Sequence, residues 1–403
     1  MTESRFETEP IGEDRPRRVL VVGDAMVDVT VKARPSASGG SYESSIVVGP
    51  GGLGNVAVAV VSAGVGAAFS GCIGEDLFGD LYQRNLVLSG VTPLTRRVSL
   101  PTGICVNFVH PDGERTMYTM RGANTAYRSR DLETAEVSSS AMLYASAFSL
   151  EDPASSKALS SIVSRSRGVG TPVALGGGAF NIIRDHREEF LALAARSDLL
   201  ILNDREASEV TSCTDPPDAL RRLVEICPDV VVTMGPKGIL ARLKGSFISC
   251  PAPKVRAVDT TGAGDAFAGV LLAELVKGTV PRDAVRKAQL ASSRVVATLG
   301  PRAGGSFNGL NDRFFLSAEL IAGGRMENKE KKPARKIILI EGITDMEGNP
   351  ASPPMIKALS SRIENVMKEM GLTAEIATDV EEKAEKEEEK PRNEQGRRKR
   401  SSR

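Results

Sequence analysis

The feature that most constrains the fold of this chain is an alternation of short apolar strands with helices between residues 141 and 299. Four strands are predicted, at Ala141–Ala147, Pro172–Leu175, Leu199–Leu202 and Val230–Thr233. Apolar helices are predicted at Gly264–Val276 and Arg282–Leu299. Strands that alternate with helices and are apolar throughout are typical of a parallel sheet buried on both faces. We therefore expect an α/β fold with a mostly parallel central sheet and helices on both faces.

Shorter strands in the first third of the chain predict a second, smaller sheet. Arg17–Asp24 is rich in valine and too short for a helix, so we assign it to the first strand of the large sheet. Strand character recurs over about 27–48 and about 103–121, and each segment contains a turn rich in glycine or proline. We expect these two hairpins to form a small β lid on the α/β body.

Changes in composition set the expected domain boundaries. We predict a flexible N-terminus at 1–16, one α/β domain at 17–320, a linker at 321–335, a small appended segment at 336–380 and a disordered charged tail at 381–403. The appended segment has strand character at 336–343 and 373–380, with an amphipathic helix predicted at 354–370. This pattern predicts a β-α-β unit. The tail ends in a basic run at 397–400, which is more typical of a solubilising end than of an RNA-binding site.

Charge, cysteine and histidine content argue against several functional classes. The formal net charge is +1, so overall electrostatics give no argument for nucleic acid binding. The five cysteines lie far apart without a C-x-x-C pair, which argues against disulfides and structural zinc and indicates a reducing compartment. Neither a signal peptide nor an apolar run of membrane-spanning length is apparent, so we expect a cytoplasmic protein. With two histidines in all, catalysis is left to carboxylates, backbone amides, lysine and arginine.

The segment that most strongly indicates chemistry is Asp259–Asp265, the string D-T-T-G-A-G-D. It follows Val255–Val258, which is predicted as a strand, and leads into the apolar helix at Gly264. Glycines let the backbone approach a ligand, and the amides at a helix start attract anions. Asp265, in the first helical turn, would take the proton of an attacking hydroxyl while the amides stabilise a phosphoryl group. By itself, the segment equally fits an ordinary glycine-rich turn before a helix.

Several separated motifs together resemble the ribokinase-like (PfkB) family of carbohydrate and nucleoside kinases over about residues 17–318. Besides D-T-T-G-A-G-D, the matching segments are Gly23–Asp28, Gly51–Ala57, the N-x-x-E of Asn203–Glu206 and the T-x-G-x-x-G of Thr233–Gly238. The resemblance implies a ribokinase-like α/β fold with a small β-sheet lid. It also implies ATP-dependent transfer of the γ-phosphoryl group to a hydroxyl of a sugar or nucleoside, with a ribose-like acceptor favoured.

The resemblance implies a role for each matching residue. Asp265 would be the general base, and the amides of Gly262, Ala263 and Gly264 would form the anion hole. The residues that would bind the nucleotide are Asn203, Glu206, Thr233, Gly235, Gly238 and Gln289. The residues that would hold the substrate are Asp28, Gly51, Gly52 and Asn55. Glu206 would hold Mg²⁺ through water, and Asp259 would contribute to a site for a monovalent cation such as K⁺.

The implied cofactors are Mg²⁺ and ATP, with ADP not excluded as the donor and K⁺ as an addition that some relatives use. The expected partners are a small sugar or nucleoside and a second copy of the chain, bound through the β lid. Neither a membrane nor nucleic acid is expected. Local sequence alone makes Asn203 and Glu206 an N-cap pair at a helix start, and that role is compatible with nucleotide binding.

The chain departs from the family pattern at two places. Leu53 stands where many relatives have a lysine, which weakens the case for a sugar-phosphate substrate. Gly176–Gly178 stands where relatives often have an aspartate after the strand, so the geometry there is left open. In contrast, Gly113–Thr116 and Arg121–Asn124 are similar to members that act on nucleosides and ribose.

Two other functions compete with the kinase interpretation. Gly49–Gly54 satisfies G-x-G-x-x-G after a predicted strand, with Glu75 and Asp76 about twenty residues on, as an NAD-dependent dehydrogenase requires. That class gives no reason for the downstream motifs. A non-catalytic ligand sensor on a kinase fold is the other alternative, and the general base at Asp265 argues against it.

Overall fold

The structure is a computed structural model that describes residues 18–35, 42–109 and 115–298, together with 316–319, 337–340, Ser361 and 375–378. The chain divides into two compact units. The first comprises residues 1–28, 49–106 and 117–312, and the second comprises residues 29–48, 107–116 and 313–403. The predicted N-terminus at 1–16, linker at 321–335 and tail at 381–403 lie outside the described residues.

The described strands and helices follow the chain in an alternating order. The strands are β1 Arg18–Val22, β2 Ala25–Pro35, β3 Tyr42–Gly52, β4 Gly66–Gly74, β5 Val91–Val98, β6 Gly103–Val109, β7 Arg115–Met120, β8 Met142–Ser146, β9 Val173–Gly176, β10 Leu199–Asn203, β11 Asp229–Thr233, β12 Ile239–Leu243, β13 Ser246–Cys250, β14 Leu316–Glu319, β15 Ile337–Ile340 and β16 Glu375–Thr378. The helices are α1 Gly54–Ser62, α2 Leu77–Leu88, α3 Thr134–Ser138, α4 Pro153–Gly168, α5 Phe180–Asp185, α6 Arg187–Ala194, α7 Asp204–Thr211, α8 Pro216–Ile226, α9 Ala263–Val276 and α10 Pro281–Val296.

A nine-stranded sheet with the order β13-β12-β11-β10-β9-β8-β1-β4-β5 forms the body of the first unit. The seven strands from β11 to β5 are parallel, and β12 and β13 add an antiparallel edge beyond β11. Parallel neighbours need a crossover between them, and the helices supply it. The carboxyl ends of the parallel strands therefore lie along one edge of the sheet.

Both faces of this sheet are covered, because successive residues of a strand point to opposite sides. In β1, Val19 and Val21 join one apolar cluster with side chains of α1, α2, α9 and α10. Leu20 and Val22 join a second cluster, formed with α3 to α8. The predicted α/β fold with helices on both faces is thus confirmed.

A separate five-stranded sheet has the order β14-β3-β2-β6-β7, and its hairpin strands correspond to the predicted lid segments. In the appended region, β15 pairs in parallel with β16, with Ile337 beside Glu375. A parallel pair requires a crossover, as the predicted β-α-β unit does. The helix predicted at 354–370 lies outside the described residues except for Ser361, which is helical.

One predicted strand is wrong. Residues 255–258, which the structure describes, form no regular strand. Val255 and Val258 are 46% and 45% exposed, so their side chains are not in the core. The amides of Val258 and Asp259 instead donate to the Val296 carbonyl at the end of α10, at 2.8 and 3.2 Å. The segment is therefore an extended connection that fastens the start of the D-T-T-G-A-G-D motif to α10.

Among the described residues, no helix combines the length and hydrophobicity needed to cross a bilayer. The cytoplasmic location and the homodimer stay predictions.

Candidate active site

The D-T-T-G-A-G-D segment forms a tight turn that opens α9. The Asp259 carboxylate is buried, and its Oδ1 accepts hydrogen bonds from the Thr261 amide (2.9 Å) and hydroxyl (2.7 Å). Gly262 has φ +74°, a left-handed conformation that glycine adopts without strain, and the helix begins at the next residue.

The start of α9 has the geometry of an anion site. The Ala263 amide makes a long hydrogen bond of 3.3 Å to the Thr260 carbonyl. First-turn amides such as that of Gly264 have no acceptor within their own helix. Apart from its two chain neighbours and the backbone of its own helix, no described atom lies within 4 Å of the position where a Cβ on Gly264 would be, so this end of the helix has room for a ligand. The positive end of the α9 dipole adds to the attraction for an anion.

Asp265 lies in this first turn and contacts the glycine motif of α1. The Asn55 Nδ2 donates to Asp265 Oδ2 at 3.2 Å, although the two residues are 210 positions apart. The contact depends on a close crossing of α1 and α9 at Gly269. A Cβ there would lie 2.5 Å from both the Ala59 Cβ and the Val56 carbonyl oxygen. The structure therefore brings the predicted base and a predicted substrate residue together.

The remaining predicted substrate residues adjoin this pair along the chain. A Cβ on Gly51 would lie 2.2 Å from Asp28 Oδ2, so only glycine leaves space for that carboxylate. Gly52 has φ +60°, and a Cβ there would lie 2.4 Å from the Asp24 carbonyl oxygen. A larger residue at either position would thus clash with Asp28 or with the backbone of Asp24. The buried Asp28 carboxylate lies against the backbone of Gly51.

Tyr82 holds the glycine motif in place, although no sequence motif marks it. Its hydroxyl accepts from the Gly54 amide at 3.1 Å and donates to the Gly51 carbonyl at 3.3 Å. The side chain is fully buried and packs against Phe69 with ring centroids 5.6 Å apart. No local motif around Tyr82 indicates this role, because its partners Gly54 and Gly51 lie 28 and 31 positions earlier in the sequence.

The Arg121–Asn124 motif supports the same region. Arg121 forms a two-point ion pair with Asp24, with Nε and Nη2 at 3.0 and 2.8 Å from the carboxylate oxygens. The Asn124 side chain accepts from the Ala25 amide at 2.8 Å and donates to the Ala25 carbonyl at 2.9 Å. These contacts hold the first residues of β2, and thereby the backbone that leads to Asp28.

Asn203 and Glu206 form a reciprocal cap at the start of α7. Glu206 N donates to Asn203 Oδ1 at 2.9 Å, and Asn203 N donates to Glu206 Oε2 at 2.8 Å. Glu206 is 5% exposed, and this burial raises its pKa to about 7 although the hydrogen bonds from Asn203 act against the rise. The N-cap interpretation is confirmed, and the carboxylate is placed where a cation would stabilise its charged form.

Thr233 and Gly238 lie at the same edge of the sheet, and Gln289 of α10 contacts this edge through Cys250. Thr233 is the register partner of Asn203 on the neighbouring parallel strand. A Cβ on Gly238, which has φ +101°, would lie 2.2 Å from the Cys250 carbonyl oxygen. The Cys250 thiol in turn contacts Gln289 Oε1 at 3.0 Å. The structure thus groups these predicted nucleotide residues. Gly235 has φ +54°, and its Cβ position has no described atom within 4 Å.

The two departures from the family pattern have structural reasons. Leu53 is buried in the apolar cluster, 3.1 Å from the position of a Cβ on Gly23, so an apolar side chain suits this environment. A Cβ on Gly177 would lie 2.2 Å from Glu206 Oε2, so this glycine leaves space for the carboxylate. Next to it, the Ser146 hydroxyl is buried and has no hydrogen-bond partner among the described residues. A ligand at this edge would satisfy it.

The structural premise of the dehydrogenase alternative is wrong. A dinucleotide-binding unit places its glycine motif between a strand and a helix of one parallel sheet. Here the first residues of the motif, Gly49–Gly52, lie in β3 of the five-stranded sheet, and the next strand, β4, belongs to the nine-stranded sheet. The close approaches of Gly51 and Gly52 are to Asp28 and Asp24, which gives these glycines a different purpose.

Metal binding by protein ligands alone is not supported within the described part of the chain. No group of three or more histidine, cysteine or acidic side chains there has the spacing to hold a metal ion. Mg²⁺ commonly binds through one or two carboxylates together with nucleotide phosphates and water. A single buried carboxylate such as Glu206 fits that mode, and a monovalent cation at Asp259 stays a prediction.

Comparisons with known proteins agree with this geometry. The model of the pfkB family carbohydrate kinases matches residues 16–306. Mouse ribokinase is 31% identical over 281 residues, which cover 65% of this chain and 83% of the ribokinase. Aminoimidazole riboside kinase from Salmonella enterica, solved with aminoimidazole riboside and an ATP analogue, is 25% identical with a TM-score of 0.59, covering 71% of this chain and 95% of that one. An E. coli protein provisionally named ribokinase II, solved with ATP and Mg²⁺, shares the fold at 20% identity with a TM-score of 0.64, covering 72% and 96%. The resemblance drawn from the motifs is confirmed.

Proposed function

This chain belongs to the pfkB family of carbohydrate kinases, and from that premise we propose that it transfers the γ-phosphoryl group of ATP to a hydroxyl of a ribose-like sugar or nucleoside. The observation that carries the proposal is the contact of Asp265 with Asn55, at the start of α9. It joins a carboxylate beside an anion-binding helix end to a motif whose glycines adjoin the second carboxylate, Asp28. A phosphoryl acceptor with several hydroxyls needs such an arrangement.

Asp265 acts as the general base in this proposal. Its carboxylate takes the proton of the acceptor hydroxyl as the acceptor oxygen bonds to the γ-phosphorus and the bond from that phosphorus to the β,γ-bridging oxygen breaks. ADP leaves with the electrons of the broken bond. The amides of Gly262, Ala263 and Gly264 at the start of α9 stabilise the charge on the phosphoryl oxygens, because the turn holds them in place and the Cβ position of Gly264 faces open space.

The nucleotide side is formed by Asn203 and Thr233 at the ends of two adjacent strands and by Glu206 in the first turn of α7, with Gly235, Gly238 and Gln289 beyond them. Mg²⁺, bound to the phosphates, would supply charge neutralisation there. Glu206 would hold its water shell, and a nearby cation would keep the carboxylate ionised despite its burial. Aminoimidazole riboside kinase, solved with an ATP analogue, supports this choice of donor, and the E. coli protein provisionally named ribokinase II was solved with ATP and Mg²⁺ together.

The acceptor side is formed by Asp28, Gly51, Gly52 and Asn55. A carboxylate and an amide are groups that pair with sugar hydroxyls. The similarity to mouse ribokinase and to aminoimidazole riboside kinase favours a ribose or riboside acceptor. The arrangement contains the neutral Leu53 where a lysine would attract a sugar phosphate, which favours an unphosphorylated acceptor.

A panel of acceptors tests the proposal on the full chain. Ribose, deoxyribose, fructose, adenosine, aminoimidazole riboside and fructose 6-phosphate are each assayed with Mg·ATP and with Mg·ADP by release of the spent nucleotide. We expect the highest kcat/KM with ATP and a ribose-containing acceptor. Turnover restricted to sugar phosphates, or ADP as the better donor, would contradict the proposed specificity. Binding of both ligands without any turnover would favour the sensor alternative.

A further inference from the structure

A buried tyrosine reaches the carboxyl edge of the large sheet beside the candidate catalytic groups. Tyr144 lies on β8, and its side chain packs in the apolar cluster that also contains α1 and α9. Its register partner on β9 is Ala174, but its hydroxyl oxygen lies 2.2 Å from the position of a Cβ on Gly176. The ring therefore extends two residues along the strand, toward the end of the sheet where the site is formed.

The glycine run after β9 leaves room for this hydroxyl. A side chain at Gly176 and the phenol of Tyr144 exclude each other, since the oxygen of a buried ring has little freedom to move. At the next residue, Gly177, a side chain would clash with the Glu206 carboxylate. Two successive glycines thus leave room for two polar groups, one on each side of the strand. This accounts for glycine where relatives often have aspartate.

The electrostatic surroundings keep the Tyr144 hydroxyl protonated. Burial raises the pKa of Tyr144, and the charges of Asp265 and Glu206 raise it further. A neutral phenol is a hydrogen-bond donor near neutral pH. Ser146, two residues along the same strand and hence on the same face, carries the buried hydroxyl that lacks a partner among the described residues. Two hydroxyls on one face of β8 indicate a polar ligand there.

We propose that the Tyr144 hydroxyl donates a hydrogen bond to the phosphoryl group in transfer, and that Tyr144 is a further catalytic residue of this chain. The inference rests on the proposed function. A phosphoryl group that passes from a nucleotide beside Glu206 to an acceptor beside Asp265 must lie between these two carboxylates. The Tyr144 hydroxyl lies against Gly176, next to the Gly177 position that meets the Glu206 carboxylate, and its ring packs in the apolar cluster that includes α9, the helix of Asp265. A donor preorganised in a water-poor site stabilises charge that develops on phosphoryl oxygens.

The substitution Tyr144→Phe in the full chain tests the proposal by removing one oxygen. We expect kcat with the best acceptor of the panel to fall by about ten- to a hundredfold, with the acceptor KM changed by less than about threefold. The matched control is Tyr127→Phe. Tyr127 is also a buried tyrosine, but its hydroxyl bonds to Ser70 at 2.8 Å in the other apolar cluster. The control should lose stability and keep kcat.

An unchanged kcat in Tyr144→Phe, or an equal fall in the control, would overturn the proposal. A rise in acceptor KM with unchanged kcat would also overturn it, because the hydroxyl would then bind the acceptor. Gly176→Ala supplies a coupled measurement. It should lower kcat strongly in the wild type and much less in the Tyr144→Phe background, where the clashing oxygen is gone. Equal effects in both backgrounds would contradict the geometry.

Nucleotide binding separates failure of this inference from failure of the proposed function. Titration of wild type and Tyr144→Phe with Mg·AMP-PNP and Mg·ADP needs no acceptor. We expect the variant to bind Mg·AMP-PNP about tenfold more weakly and Mg·ADP equally well, because the contact is to the γ-phosphoryl group. This result with no turnover on the panel would retain the inference and reject the acceptor class. Equal affinities together with normal turnover would reject the inference alone.

Discussion

The substitution Gly269→Ala should separate the two helices that carry the candidate catalytic pair. A Cβ at this position would lie 2.5 Å from the Ala59 Cβ, 2.5 Å from the Val56 carbonyl oxygen and 3.1 Å from the Val60 amide nitrogen. Two of these atoms are backbone of α1, so a rotamer change cannot relieve the contact. An ordinary contact needs about 3.5 Å, and the helices must therefore move apart by about 1 Å.

The displacement acts on both stability and activity. Overpacking of this size costs about 1–3 kcal/mol, and the better helix propensity of alanine returns up to about 1 kcal/mol, so we expect a net loss of roughly 1–2 kcal/mol. Asp265 precedes Gly269 by one helical turn, and Asn55 directly precedes Val56. The hydrogen bond of 3.2 Å between Asn55 and Asp265 would therefore be stretched beyond bonding distance. A misplacement of about 1 Å at a reacting group lowers kcat by about a hundredfold.

Gly168→Ala is the matched control for this experiment. Gly168 ends α4 with an ordinary helical backbone, and no described atom lies within 4 Å of its Cβ position. Alanine there should leave kcat unchanged and stability equal or slightly higher. Urea unfolding and turnover of the best acceptor are measured for both variants. If Gly269→Ala keeps wild-type kcat and stability, the helix crossing does not set the position of Asp265, and the reasoning is refuted.

Two further predictions concern groups outside the reacting centre. Tyr82→Phe removes the hydroxyl that bonds to the Gly54 amide and the Gly51 carbonyl, so we expect a stability loss of about 1–3 kcal/mol. The acceptor KM should rise and the ATP KM should stay unchanged. A rise confined to the ATP KM would contradict this prediction. Burial alone would raise the pKa of Glu274, but hydrogen bonds from Lys287, Thr279 and Lys277 lower it to about 2. The stabilisation is therefore present above the unfolded pKa and is lost as pH falls from about 4.5 toward 2, and Glu274→Gln should cost roughly 2 kcal/mol near neutral pH and progressively less below about pH 4. A pH-independent difference in unfolding free energy between the two proteins would disprove it.

The fold could be predicted from the sequence because the parallel strands are apolar on both faces. Strands such as Leu199–Leu202 stand out as continuous apolar runs between helices. The same criterion failed at Val255–Val258, where the valines have neither a neighbouring strand nor a buried face. The criterion also does not predict β12, because the residues of this antiparallel strand alternate between buried and partly buried and so do not form a continuous apolar run. An apolar run indicates a strand only where a pairing partner exists.

The candidate site could be predicted as far as its motifs extend. Asp265, Asn55 and Glu206 were found because each lies in a short string of glycine and polar residues at an element boundary. The residues that position them could not be found in this way. Tyr82, Gly269 and Tyr144 have no local pattern, because their roles come from atoms far away in sequence. The glycine run at 176–178 stands out in the sequence, but the reason for it lies in the side chains that occupy the places where Cβ atoms would be.

The most direct test of the central claim is the kcat of Asp265→Asn, measured with Mg·ATP and the best acceptor of the panel. Asparagine keeps the shape of the side chain and an oxygen that can accept from Asn55, but it cannot take a proton at neutral pH. We predict a fall in kcat of about 10²- to 10⁴-fold, with nucleotide and acceptor affinities within a few fold of wild type. A kcat close to wild type would show that Asp265 is not the base and would contradict the account.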